Sequence, residues 1–118
     1  AGNPLCCAAA LANNEFLTNK DFQSELKRKI KVFENRLKNL EKYDIINYIN
    51  VRGMIGAIIF NDKEDANSVV VNSVRKGVMP VNTWSTSIKI GPPLTISIDA
   101  INEALDVIEE CITKQNLS

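Results

Sequence analysis

From Asp21 to Lys42 the apolar residues Phe22, Leu26, Ile30, Phe33, Leu37 and Leu40 return at steps of four and three, which predicts one face of a long amphipathic helix. Its other side carries Lys27, Arg28, Lys29, Lys31, Arg36 and Lys38 interspersed with Glu25, Glu34 and Glu41. Mixed signs of that kind describe a solvated face rather than a basic stripe. The heptad-like spacing lasts about three repeats, too few to sustain a coiled coil. A second amphipathic helix is predicted from Ser97 to Lys114, with Ile98, Ile101, Leu105, Ile108 and Ile112 on one face. Ser97 is placed to cap it, Asp99 and Glu103 sit near its positive end, and Lys114 near its negative end.

Between these helices the pattern changes period. Tyr43 to Asn50 alternates poorly and is expected to form a lead-in loop or short strand. Val51 to Phe60 is apolar at both odd and even positions, which predicts one strand covered on both faces, with Gly53 and Gly56 leaving room for close approach. Asp65 to Lys76 supports two readings. Val69-Val70-Val71 favours a strand, whereas Ala66, Val70 and Val74 at fourfold spacing before Lys76-Gly77 favour a helix with a glycine stop, and helix is the assignment adopted. Val78-Met79 and Ser87–Ile90 are short strand candidates on either side of a polar loop in which Trp84 is expected to pack. Pro92-Pro93 ends the last strand, because proline fixes φ and lacks a donor, and re-aims the chain toward Ser97.

At the N-terminus Asn3 and Pro4 suit a helix start, and Leu5 to Phe16 reads as a helix of small residues. Cys6 and Cys7 within it are expected to be small buried hydrophobes, with no flanking histidine, lysine or arginine to activate them. The order helix, long helix, strand, helix, two short strands, helix predicts an α+β layer, a small sheet packed with helices.

Composition narrows the function classes. The 118 residues fit one domain, and 14 basic residues balance 14 acidic ones, so no global field draws the chain toward a polyanion. No apolar stretch approaches the ~20 residues of a membrane-spanning helix. The 3 cysteines lack C-x-x-C spacing, which fits a reducing cytoplasm. With 0 histidines, Ser-His and Cys-His nucleophile pairs and histidine-containing zinc sites are excluded. The chain opens Ala1-Gly2-Asn3-Pro4 without an initiator methionine, and a fragment of a longer protein is the expectation.

Three stretches in fixed order, Gly2-Asn3-Pro4-Leu5 with the small residues to Ala12, Lys76-Gly77-Val78, and Pro92-Pro93-Leu94-Thr95-Ile96, together resemble the class III aminotransferases, fold-type-I enzymes that use pyridoxal 5'-phosphate. Met54 to Ile58 adds to the likeness, which covers nearly the whole chain. The resemblance implies a three-stranded sheet under helices in residues 19–118, the C-terminal small domain, with residues 1–18 as the helix connecting from an absent cofactor domain. It implies an intact homodimer that moves an amino group between an amine or amino acid and an oxo acid. In relatives a lysine holds the cofactor covalently and shuttles the proton. That lysine, and the aspartate that pairs with the pyridine nitrogen, lie upstream of the Gly-Asn-Pro-Leu helix, so this chain is expected to carry no catalytic residue and not to bind the cofactor stably.

One functional position of the family falls inside the chain. Lys89 stands where relatives often have an arginine that takes the substrate carboxylate in two parallel hydrogen bonds, and a lysine brings the charge without the planar fork. A solvent-facing strand lysine is the alternative. Gly2 and Asn3 fall near the phosphate loop, and Arg52 is expected chiefly to hold its strand and loop together. The segment between Arg52 and Met54 is shorter than in most members, and Ile59 replaces a glutamate. Two other classes stay open: an independent α+β binding or dimerisation module, and a nucleic-acid binder using the basic helix, whose affinity would fall steeply with salt. Racemases and mutases share the scaffold.

Overall fold

A computed structural model of the chain describes residues 19–83 and 85–117. The predicted N-terminal helix, Gly2, Asn3, Cys6, Cys7 and Trp84 lie outside the described residues. Helix α1 runs Lys20–Lys38, and Asn19 caps it by accepting from the amides of Asp21 at 2.9 Å and Phe22 at 3.2 Å. A single 3₁₀ turn, Asn39–Lys42, finishes it, so the predicted long helix is present with its last turn tightened.

The hairpin that follows departs from expectation. Val51 to Phe60 is two strands: β1, Ile46–Arg52, and β2, Ile55–Phe60, pair antiparallel with Arg52 opposite Ile55. Gly53 adopts φ +60, a left-handed conformation open to glycine, and reverses the chain in two residues. The register shifts between Ile46 and Tyr48, and the irregularity lets Ile46 and Ile49, three apart, both face the core. That is why Tyr43 to Asn50 alternates poorly and still contributes a strand.

Helix α2, Lys63–Arg75, resolves the ambiguous valine run as a helix. It stops at Gly77, φ +89, whose amide reaches the carbonyl of Val74 while that of Val78 reaches Ser73, each at 3.0 Å. Val78 is thereby committed to the helix stop, and the short strand expected at Val78-Met79 lies instead at β3, Val81–Asn82. Strand β4 is Ser87–Ile90, and helix α3 is Ile98–Asn116, where Ser97 accepts from the Ala100 amide at 3.1 Å as predicted. The strand order is β1-β2-β4-β3, all antiparallel: four strands rather than three, the fourth being the two-residue β3.

Among the described residues only one sheet face is covered. Along β2, Gly56, Ile58 and Phe60 are buried while Ile55 is exposed and Ala57 and Ile59 are half-buried, the alternation of a one-sided strand. The covering core is Phe33 and Leu37 of α1, Leu40, Val69 of α2, and Ile101, Leu105, Ile108 and Ile112 of α3. Among the described residues the strand is therefore covered on one face rather than both, because α1, α2 and α3 stack on the same side. Gly56 permits the closest part of that packing. A Cβ there would land on Leu37 Cδ1 and reach the Phe33 ring at 3.5 Å.

Helices α1 and α3 are joined by Arg36, which donates to Asn102 Oδ1 at 2.9 Å and to Asp106 at 2.6 Å. Tyr43 donates to Glu109 at 2.7 Å beside it. At the far end of α3, Glu110 pairs with Lys76 at 2.7 Å and with Lys114 at 3.2 Å. The hydrogen bond from Lys76, joined by that from Lys114, holds the Glu110 carboxyl below the usual carboxylate range, and the same bond raises the Lys76 ammonium.

Gly56→Ala is expected to destabilise the chain by about 1–3 kcal/mol, since Leu37 is fully buried and has nowhere to retreat, read as a lower urea midpoint with unchanged slope. Lys76→Met should move the Glu110 carboxyl titration, followed by NMR, to higher pH. Because the folded value is depressed, the pair's contribution is present above the unfolded carboxylate pKa and is lost as pH falls through the folded one, so acid sensitivity in that window should shrink in the variant.

Candidate functional site

The open sheet face carries the sequence-predicted candidate. Side chains alternate across a strand, so Asn50 and Arg52 of β1, Ile55 and Ala57 of β2 and Lys89 of β4 share the face away from the helices. Asn50 lies opposite Ala57, Ala57 opposite Lys89, and Lys89 opposite Val81, a row across all four strands. Arg52 sits beside this row, paired with Ile55 next to the hairpin turn. These residues and the Gly56 backbone line a shallow depression of about 220 Å³.

Its electrostatics are one-signed: among the described residues the lining contains an arginine and a lysine and no carboxylate. Lys89 is exposed in the middle of β4. Arg52 is exposed too, and among the described residues its guanidinium makes no hydrogen bond to the loop that follows. The expectation that it braces strand and loop is corrected here. The positive φ of Gly53 closes the turn in two residues, leaving nothing for a side-chain brace to do. Ile59, which replaces the family's glutamate, is half-buried on the same open face opposite Tyr48 and Ser87.

Three residues beyond Lys89 the double proline turns the chain. Strand pairing ends at Ile90, and the Ile96 amide closes a turn onto the Pro93 carbonyl at 3.0 Å. The turn is tied to α1 from inside: Lys29, only 7% exposed, donates from Nζ to the Leu94 carbonyl at 3.3 Å, with the Phe22 ring 6.0 Å away. A buried ammonium is uncommon and needs an acceptor. Sequence reasoning had placed Lys29 with the solvated residues. The signal that marks it is its spacing, since Phe22, Leu26, Lys29 and Phe33 follow steps of four, three and four, which puts position 29 on the apolar stripe. Arg36, assigned to the same solvated face, is likewise taken up by α3.

Pyridoxal phosphate would need a carboxylate against its pyridine nitrogen, a lysine beside its aldehyde carbon and a cradle for its phosphate. The depression offers two cations and an amide without the carboxylate, so the residues present there do not fit the whole group, and no step through it is assigned to them. Gly2 and Asn3, the family's phosphate-loop neighbours, lie outside the described residues.

Among the described residues a four-stranded antiparallel sheet with three helices on one face, continuing through a double-proline turn into the last helix, defines a small α+β domain. The family described as "Aminotransferase class-III" matches residues 1–112, and the chain belongs to it. It is 32% identical to a Caenorhabditis elegans protein named "Probable ornithine aminotransferase, mitochondrial" over 98% of this chain and 28% of that protein. It is 32% identical to the leucine/methionine racemase of Thermococcus litoralis over 94% of this chain and 27% of the racemase. The solved adenosylmethionine-8-amino-7-oxononanoate aminotransferase of Methanocaldococcus jannaschii superposes with a TM-score of 0.78 at 27% identity, covering 96% of this chain and 28% of that one. The chain thus spans little more than a quarter of the length of these relatives.

Lys29→Ala should leave the Leu94 carbonyl without its donor and loosen the turn. Hydrogen exchange at the Ile96 amide is expected to quicken about tenfold, the loss of one charged hydrogen bond of roughly 1.4 kcal/mol, while the Ile58 amide in the sheet centre stays protected.

Proposed function

We propose that residues 19–118 are the C-terminal small domain of a pyridoxal-phosphate-dependent aminotransferase, that it closes over the active site, and that Lys89 contacts the substrate's carboxylate. Residues 1–18 are the connection from the cofactor domain. The observation that carries this reading is Lys89 itself: an exposed cation on the open sheet face, three residues before the double proline, in a depression that no carboxylate of the described residues lines. An ammonium there attracts and orients a carboxylate without the two-pronged geometry of arginine, so its hold depends more on charge than on direction.

The reaction proposed for the whole protein is transfer of an amino group between an amine or amino acid and an oxo acid, on a homodimer, with the cofactor held by residues outside this chain. When bound, that cofactor supplies the electron sink for the chemistry at the amino-bearing carbon. The likeness to a racemase keeps inversion at that carbon as the second reading, and the product of the assay decides between them. A reducing cytoplasm is the proposed compartment, in keeping with Cys111, which is buried and unpaired.

The test is to express the whole open reading frame that contains this chain, load it with pyridoxal phosphate and assay amino transfer to oxo acids. Lys89→Met is expected to raise KM for the carboxylate substrate about tenfold or more with a smaller change in kcat, the loss of one charge-assisted contact. An unchanged KM would return Lys89 to the status of a solvent-facing strand residue, and inverted amino acid without amino transfer would favour the racemase reading.

A further inference from the structure

The surface charge of the helix layer is sorted into ridges. On α1, Lys20, Lys27, Lys31 and Lys38 follow steps of seven, four and seven, which keep a residue on one line of a helix, and all four are exposed. Glu25 lies off this line, held by Arg28 at 3.0 Å, Glu41 accepts from the Ile49 amide at 2.9 Å, and Glu34 beside the lysines is half-buried. Helix α3 carries the reverse. Asp99, Glu103, Asp106 and Glu110 follow steps of four, three and four and are exposed as well. Among the described residues no ion pair engages the four lysines, Asp99 or Glu103. Both ridges point away from the sheet, opposite the buried Phe33 on α1 and the buried Ile101 and Ile108 on α3. The two helices run side by side in the same direction: bonds from Lys29 to Leu94, Arg36 to Asn102 and Tyr43 to Glu109 join residues 65, 66 and 66 apart. Lys31 is therefore level with Asp99, and Lys38 with Glu103 and Asp106.

We propose that this outer helix face is a self-association surface whose partner is a second copy of the chain, the lysine ridge of each copy lying on the acidic ridge of the other. Packed helix axes are ~8–10 Å apart, about one Debye length at physiological salt, so the two ridges act on a partner together. A polyanion drawn to α1 is repelled by α3 beside it, and an anionic membrane meets the same opposition. The partner must present both signs in stripes at this spacing, and a second copy does so by symmetry. The charges also choose the two-fold axis. An axis across the helices would stack α1 on α1, lysine on lysine. One along the helices, between α1 and α3, stacks α1 on α3 in both halves and keeps the helices parallel. Lys31 then meets Asp99, Lys38 meets Glu103, and each contact occurs twice. An association held by exposed charges is transient and sensitive to salt. Its face lies on the opposite side of the sheet from Lys89, so it stands independently of the amino-transfer reading.

The experiment is sedimentation velocity on the 118-residue chain, alone and as two charge-reversed variants. The parent is expected to dimerise at low salt, with a Kd at least about tenfold weaker when NaCl rises from about 20 to about 300 mM. Lys31→Glu with Lys38→Glu, and separately Asp99→Lys with Glu103→Lys, should each weaken self-association about tenfold or more, since like charges then face each other. An equimolar mixture of the two variants should restore the dimer, because opposite ridges meet again in both halves. All four positions are exposed, and circular dichroism reports that each variant is folded. A parent that stays monomeric at low salt would overturn the proposal, as would a mixture no more associated than its components. Association that persists in both variants and strengthens with salt would overturn it in favour of an apolar contact.

Discussion

The contact between Leu37 and the bare backbone of Gly56 sets how closely α1 lies on the sheet. With no Cβ at position 56, the helix drops until Leu37 occupies that space and Phe33 comes against the same strand. Phe33, Leu37 and Leu40 are then fully withdrawn from water, and α2 and α3 complete the layer with Val69, Ile101, Leu105, Ile108 and Ile112. Burial of so many apolar side chains on one side is the main force holding the domain together. It also decides what the opposite side is: with α1, α2 and α3 committed to one face, the other keeps, among the described residues, Asn50, Arg52, Ile55 and Lys89 exposed on a four-strand platform.

The elements with strong periodicity were legible in advance. Both long helices, the Ser97 cap, the glycine stop after Lys76 and the break at Pro92-Pro93 each follow from a local rule whose outcome tertiary packing does not alter. What escaped were features in which one residue changes the meaning of its neighbours. Gly53 divides an apolar run into a hairpin, and nothing in hydrophobicity alone distinguishes a ten-residue strand from two shorter ones joined at a glycine with positive φ. The register shift near Asn47 disguises β1, because an extra residue breaks the two-residue period that identifies a strand. Among the described residues one face is covered rather than two, because Ile55 and Ile59, although apolar, lie on the open side.

The polar residues repeat that lesson. On α1 a lysine and an arginine sorted by type into the solvated face belong to the structure: Lys29 holds the Leu94 carbonyl from within, and Arg36 joins α1 to α3. Position decides this, since Lys29 falls on the apolar stripe and its long stem lets the ammonium reach the turn. Lys89 is exposed on the open face, and its register partners add what the sequence withheld, the company of Arg52 and Asn50 on that face. The platform, the turn tied down by Lys29 and the two exposed cations are one arrangement, in which the covered face supplies rigidity and the open face supplies charge.

The central claim is that this platform works as part of a larger enzyme of its family. The most direct measurement is the sequence of the gene upstream of the codon for Ala1. The account predicts an open reading frame continuing for several hundred codons, with a lysine a few tens of residues before Gly2 and an aspartate for the cofactor before that. A start codon immediately upstream would contradict it, and the chain would then be an independent module whose charged face serves some other ligand.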